Sequence, residues 1–170
     1  MGSKVITVEP FDVAGEILRQ LPKGTFLTVK SRQHLNTMTM GWGTLGMVWS
    51  RPVFVAPVRC SRYTFKLIEQ APDFTVSIPR ENEFRKELAY CGSHSGKAID
   101  KFAECGLRTR EASCTDTPLL DIPGIHLECR TLLRGTMGPD LMHPELSTFY
   151  QDEDYHTYYY GEIVRCIRTT

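Results

Sequence analysis

The chain has 170 residues, 41% hydrophobic and 24% charged, and its 20 basic and 20 acidic side chains balance to a formal net charge of +0. This is the composition of a soluble globular protein, and the length suits one domain over residues 1–170. The balance excludes the broad positive field that nucleic acid or an anionic membrane requires, and no apolar run approaches the ~18 residues that span a bilayer.

In chain order, Val13, Ala14, Ile17, Leu18 and Leu21 recur at helical spacing, which predicts a helix over 11–21 stopped by Pro22 and Gly24. Residues 25–29 are β-branched and apolar, a strand. A turn at 33–36 leads to a second strand over 37–42. Gly41, Gly43 and Gly46 interrupt the chain from the end of that strand onward, and glycine in such a run marks a bulge or a close approach. After a break at 49–52, the run 53–58 is almost wholly apolar and reads as a buried strand. A short helix over 63–70 ends at Pro72, with Ser61 a suitable N-cap. Phe74, Val76 and Ile78 alternate with Thr75 and Ser77, a strand closed by Pro79. Helical character returns over 83–90 and 99–105, the second stopped by Gly106. The segment 119–123 is turn-rich, 125–133 alternates as a strand, 135–154 reads as loop, and 158–167 is a last strand. About six short strands with helices inserted among them, and no βαβ series, predict a mainly β fold, a small antiparallel barrel.

The six cysteines form no C-x-x-C pair, so neither a zinc site nor a thioredoxin-type site is indicated. The five histidines show no ligand spacing, and no metal is expected. Ser93-His94-Ser95 lacks the G-x-S-x-G setting of an acylating serine. Reduced thiols and the lack of a basic-then-apolar leader give a cytoplasmic expectation.

Three polar clusters remain, each beside an apolar run that can hold it rigidly. The first is Asn36, Thr37, Met38 and Thr39, a carboxamide, two hydroxyls and a thioether. Strand alternation sends Thr37 and Thr39 to one face, Asn36 and Met38 to the other. The second is Arg59, Ser61, Arg62 and Thr64 around a helix start, where guanidiniums, hydroxyls and free N–H groups suit a monophosphate. Cys60 lies inside it, between two of these candidate phosphate contacts. The third is Ser95, Gly96, Lys97 and Lys101 ahead of another helix, with glycine admitting close backbone approach. Together these groups suit one flat heterocycle carrying a phosphate, and flavin mononucleotide (FMN) is the cofactor read from them. His156 beside Tyr155 and Tyr158 is a possible contact for a nicotinamide or flavin ring.

At these residues the chain resembles the flavin reductase-like, FMN-binding split-barrel family, most closely its flavoredoxin branch. The resemblance is carried by Asn36-x-Met38-Thr39-x-x-Trp42, by Arg59-x-Ser61-Arg62-Tyr63-Thr64, by Phe74-Thr75-Val76-Ser77-Ile78-Pro79, and by Gly92-x-x-Ser95-Gly96-x-x-x-Asp100-Lys101-Phe102. It implies a six-stranded antiparallel Greek-key split barrel, a homodimer, and non-covalent FMN at the dimer interface. By this analogy Asn36 to Thr39 face the isoalloxazine; Arg59, Ser61, Arg62 and Thr64 hold the phosphate end; and Ser95, Gly96, Lys97 and Lys101 complete the phosphate or ribityl contacts. The implied activity is FMN-dependent oxidoreduction with NADH, NADPH or a redox protein as partner. The flavin carries that chemistry, so no side chain is assigned as catalytic. A haem- or nucleotide-binding sensor on the same barrel is the alternative.

Overall fold

The computed structural model describes residues 4–170. In chain order its strands are β1 (Val5–Thr7), β2 (Thr25–Ser31), β3 (His34–Met40), β4 (Thr44–Val48), β5 (Arg51–Arg59), β6 (Asp73–Pro79), β7 (Thr109–Arg110), β8 (Leu119–Leu120), β9 (Gly124–Thr136) and β10 (His156–Thr169). The helices are α1 (Ala14–Gln20), α2 (Tyr63–Ile68), α3 (Arg85–Ser93) and α4 (Lys101–Cys105). Each of the six expected strands is present, as β2, β3, β5, β6, β9 and β10. The sheet holds two more. β1 is three exposed residues laid on the end of β10, too short to show a period. β4 hides behind its glycines and pairs only with β5.

Two turns are tighter than the residue pattern suggests. The β2–β3 hairpin turns on Arg32 and Gln33 alone, with Arg32 at φ 54°, so His34 to Asn36 already belong to the strand. The β4–β5 hairpin turns on Trp49 and Ser50, both at positive φ (51° and 57°), the backbone of a two-residue primed turn. Arg51 and Pro52 therefore open β5 rather than break the chain.

Every pairing in the main sheet is antiparallel, and its order is β3-β2-β6-β9-β10-β5-β4, with β1 on β10. The two ends of this order, β3 and β4, are joined by only residues 41–43. A sheet whose outermost strands are linked by three residues has to curl until they meet, and the unpaired seam makes the barrel split. Register shifts at Tyr160/Gly161 and Ile163/Arg165 bend β9 against β10 and supply the curvature. Gly161 is needed there because a Cβ would stand 2.5 Å from Cζ of Phe74.

The barrel interior is filled by the inward face of each strand, including Leu27, Val29, Phe54, Phe74, Val76 and Leu127, closed by Val13 and Ile17 near α1 and by Leu67 and Ile68 of α2. Each such side chain contributes roughly 1.5–3 kcal/mol by leaving water. The opposite face of β6 is polar, as its alternation implies, yet it is buried as well. The segment 111–122 covers it. Glu128 accepts from the backbone N–H of Ser113 and Cys114, and Asp73 from those of Asp116 and Thr117. A second apolar cluster, Phe26, Leu88, Cys91, Leu107, Leu120 and Ile122, seats α3 and α4 against the outside of the sheet.

Under that cover His126 is fully buried, bonded to Ser77 Oγ, Ile122 O and Thr169 Oγ1, each at 3.0 Å. A neutral ring with its proton on Nε2 satisfies these partners, and burial pushes the imidazole down to about 4. The unfolded chain binds this proton near pH 6.5, so between 6.5 and 4 unfolding takes up a proton, and stability is lost as the pH falls through that window. Urea melts at pH 7 and pH 4.5 are expected to differ by about 2 kcal/mol from this residue, and the difference shrinks in His126→Gln.

Candidate cofactor site

Met38, Asn36, Ser61, Arg62, Thr64, Ser95, Gly96 and Lys101 line a single cavity of about 210 Å³. All three sequence clusters thus meet, although they come from β3, from the β5–α2 link and from the α3–α4 link. The meeting is built from the backbone outward. Asn36 is buried on β3 and donates its amide to Thr64 Oγ1 on α2 at 2.8 Å. Gly96 lies over that amide so closely that a Cβ would stand 1.9 Å from Asn36 Oδ1. Arg62 donates to Gly92 O at 2.8 Å and so ties the second cluster to the end of α3.

Lys101 is the group around which the cavity is arranged. Asp100 caps α4, its carboxylate accepting from the N–H groups of Phe102 (2.9 Å) and Ala103 (3.2 Å). That fixes Lys101 at the first helical position and turns its side chain inward, where it is only 3% exposed. Its ammonium donates to Thr37 O at 3.0 Å and Cys91 O at 2.8 Å, so one residue joins α4, β3 and α3. Burial pushes its pKa downward. Buried charges are ordinarily paired, yet among the described residues no carboxylate forms an ion pair with Lys101. Two of its three donors are taken up by carbonyls, and its charge is not matched.

A second cavity of about 180 Å³ shares Met38 and Arg62 with the first. Its wall adds Met40, Gly41, Trp42 and Pro57, with Arg59 and His156 at its edge. Neither cavity is lined by an aspartate or glutamate. His156 is buried, hydrogen-bonded through Nδ1 to Tyr150 OH at 2.7 Å, and its ring centroid is 5.1 Å from that of Trp42. Burial and, secondarily, the Arg59 charge push it down to about 4, so it is neutral at pH 7. A larger open groove of about 840 Å³ adjoins the first cavity through Asn36, Tyr63, Gly96 and Lys101.

The other expected residues point elsewhere. Strand alternation holds: Thr37 and Thr39 share the face opposite Asn36 and Met38, and that face is covered by α3 and α4. Thr37 is fully buried, its hydroxyl bonded to Thr28 Oγ1 and Leu27 O. Thr39 donates to Leu88 O at 2.5 Å, though its side chain borders the second cavity. Lys97 lines the open groove instead of the cavity. Arg59 is held by Phe149 O and Asp154 O. Ser61 does not cap α2; Arg62 takes the N-cap position with no side-chain bond, because Ser61 faces Asp154. The Asp154 carboxylate accepts from the Ser61 N–H at 3.0 Å and hydroxyl at 2.5 Å, and sits 3.8 Å from Arg59. Asp154, Tyr150 and Trp42 are the site neighbours that the sequence did not single out for this role. Asp154 lies 93 positions from Ser61 in a segment without periodicity, so no local signal marks it.

A mainly antiparallel split barrel with a cation-walled cavity at the seam defines the class, and the sequence places the chain within it. The chain belongs to the flavin reductase like domain family, whose sequence model matches residues 18–169. A curated relative, an uncharacterized protein of Archaeoglobus fulgidus, is 28% identical over 111 residues, 65% of this chain and 62% of the relative. The chain therefore aligns with less than two thirds of that relative's length. Among solved structures, an FMN-binding domain of a flavin reductases-like enzyme from Shewanella baltica superposes with TM-score 0.71 at 17% identity, covering 99% of this chain and 78% of the other. The flavoredoxin of Desulfovibrio vulgaris gives 0.66 at 22% identity over 84% and 67% of the two chains. A Streptomyces globisporus NADH:FAD oxidoreductase gives 0.65 at 21% identity over 96% and 87%. These likenesses establish a shared fold.

The contact between Gly96 and Asn36 is open to a direct check. Gly96→Ala forces the Asn36 amide away from Thr64 and is expected to lower stability by about 1–3 kcal/mol. In an Asn36→Ala background the same change costs less, by at least ~0.5 kcal/mol of coupling. Additive urea-melt energies would contradict the geometry.

Proposed function

We propose that this protein is an FMN-binding oxidoreductase, either a flavin reductase drawing hydride from NADH or NADPH or a flavoredoxin-like electron carrier. The observation that carries the reading is the unmatched, buried Lys101 ammonium in the wall of a cavity to which all three polar clusters contribute. A phosphate there supplies the missing negative charge and accepts the remaining Lys101 donor. Arg62 adds a guanidinium, and Ser95 and Thr64 add hydroxyls. The adjoining wall of Met38, Gly41 and Trp42 suits a planar ring, and Asn36 offers an amide to a polar ring edge. Each cavity alone is below the roughly 300–1,000 Å³ of a cofactor site, and the two joined through Met38 and Arg62 reach it.

A bound flavin supplies the hydride and electron chemistry. The chain's own work is to hold the cofactor's charge, orient the ring and keep water from one side of it. Neutral His156, oriented by Tyr150 and flanked by Trp42, is placed to line the approach of a nicotinamide. Ser61 and Arg59 carry Asp154 as an internal anion, so a phosphate reaching for them has to displace that carboxylate. The FMN-binding domain and the NADH:FAD oxidoreductase among the structural relatives support this reading.

The active form in this proposal is a homodimer. Met47 (61% exposed), Trp49 (53%) and Phe149 (53%) leave large apolar side chains in water near the seam. Trp49 packs on Tyr160 of β10, and Phe149 packs on Trp42 at the cavity edge. Such clusters are characteristic of interfaces. Light scattering is expected to give twice the chain mass, and Met47→Asp with Trp49→Asp the single mass. A wild-type monomer at micromolar concentration would contradict it.

Fluorescence titration with FMN tests the site itself. Lys101→Met and the pair Ser61→Ala with Arg62→Ala are each expected to weaken binding about ten- to a hundredfold, the equivalent of a lost charged hydrogen bond. Circular dichroism verifies that each variant stays folded. No binding by the wild type, or unchanged affinity in both variants, refutes the assignment. NADH and NADPH oxidation with added flavin then separates a reductase from a carrier.

A further inference from the structure

Two thiols that the cofactor reading does not use face each other beside the cavity. Cys91, near the end of α3, is fully buried, and Cys105, the last residue of α4, is half-buried. Their Sγ atoms are 4.0 Å apart, 14 positions apart in sequence. The helices that carry them are already locked in place. Lys101 of α4 donates to the carbonyl of Cys91 itself, and Cys91 packs with Leu88, Phe102 and Cys105 in the second apolar cluster. A disulfide needs the sulfurs to close to about 2.05 Å, a movement within reach of side-chain torsions once the backbones are held.

We propose that Cys91 and Cys105 form a reversible dithiol–disulfide couple that staples α3 to α4. The oxidant is a hydroperoxide. Solvent reaches Cys105 and not Cys91, so the O–O bond of the hydroperoxide breaks on the Cys105 sulfur, giving a sulfenic acid and releasing an alcohol, or water from hydrogen peroxide. The Cys91 sulfur then attacks that sulfur, forms the S–S bond and expels water, the thiol proton leaving with the hydroxyl. The two thiols lose two electrons in all and the hydroperoxide gains them. A dithiol reductant reverses the change by exchange. Burial pushes both thiols up, Cys91 to about 12, and the exposure of Cys105 rather than its acidity sets which sulfur a hydroperoxide meets first. The closed loop spans residues 92–104 and includes Ser95, Gly96 and Lys101, so oxidation stiffens one wall of the cavity. The couple stands on the two thiols alone, whether or not the cavity takes a flavin.

The test uses the full chain with the two exposed cysteines replaced, Cys60→Ser with Cys114→Ser, treated with hydrogen peroxide. Mass spectrometry after alkylation and trypsin is expected to find the Cys91 and Cys105 peptides joined, lighter by two hydrogens than their sum, and separated again by dithiothreitol. Thermal unfolding of the oxidised form is expected about 5–10 °C above that of the reduced form, as closure of a loop of this length implies. Adding Cys105→Ser abolishes both effects. Recovery of both cysteines as alkylated thiols, accumulation of Cys105 as a sulfinic acid, or a thermal shift that survives Cys105→Ser overturns the couple.

Discussion

One buried ammonium organises this molecule's site. Lys101 enters the protein interior because Asp100 starts α4 where it does, and the ammonium bonds to a carbonyl of β3 and a carbonyl of α3. Removing a lysine from water is costly unless the charge is satisfied. Here two carbonyl dipoles do part of that work, and among the described residues no carboxylate pairs with it. The rest of the cavity depends on this arrangement: α3 and α4 are held against the sheet, Gly96 is laid over Asn36, and a cavity with the ammonium in its wall is left beside the barrel seam.

The barrel contributes the rigidity that such an unmatched charge requires. Its interior is filled mainly by apolar side chains, while the outer face of β6 and of the first half of β9 is polar and covered. That second, polar layer is held by Asp73, Glu128 and His126, which bond the covering segment and the neighbouring strands rather than any ligand. The division is functional in consequence. Buried titratable groups on the covered face maintain the fold, and those at the seam, Lys101 and His156, border open space.

Asp154 adds a second constraint on the site. Its carboxylate receives the Ser61 N–H and hydroxyl beside Arg59, the same donors that the sequence suggests for a phosphate. The donors are thereby preorganised by an internal anion, and the segment before β10 is fastened to the cavity rim. Arg59, Arg62 and Lys101 in the walls, the Asp154 carboxylate at the rim and the Trp42 ring beside His156 are the groups that this corner of the barrel brings together.

Much of this was legible in the chain itself. Period-two alternation in Phe74 to Ile78 and the apolar run before Arg59 sufficed for the six principal strands, because burial on a pleated face acts over neighbouring residues. Helix stops before Pro72 and at Gly106 are likewise local effects, while Pro22 lies in a 3-10 turn that carries α1 on to its end at Gly24. The donor types of the three clusters also needed no structure. Turns near 33 and 49 were legible, but not that each is confined to two residues, Arg32–Gln33 and Trp49–Ser50, since the positive φ falls on residues that carry no glycine signal. Nor were β1 and β4, which owe their existence to a neighbouring strand. Tertiary structure alone decided that α3 and α4 cover Thr37, that Ser61 serves Asp154 instead of a helix cap, that Gly96 presses on Asn36, and that Lys101 is buried with no carboxylate paired to it among the described residues. Each of these depends on sheet register and on the seating of α3 and α4, and contacts made across tens of residues leave no period in the sequence from which to read them.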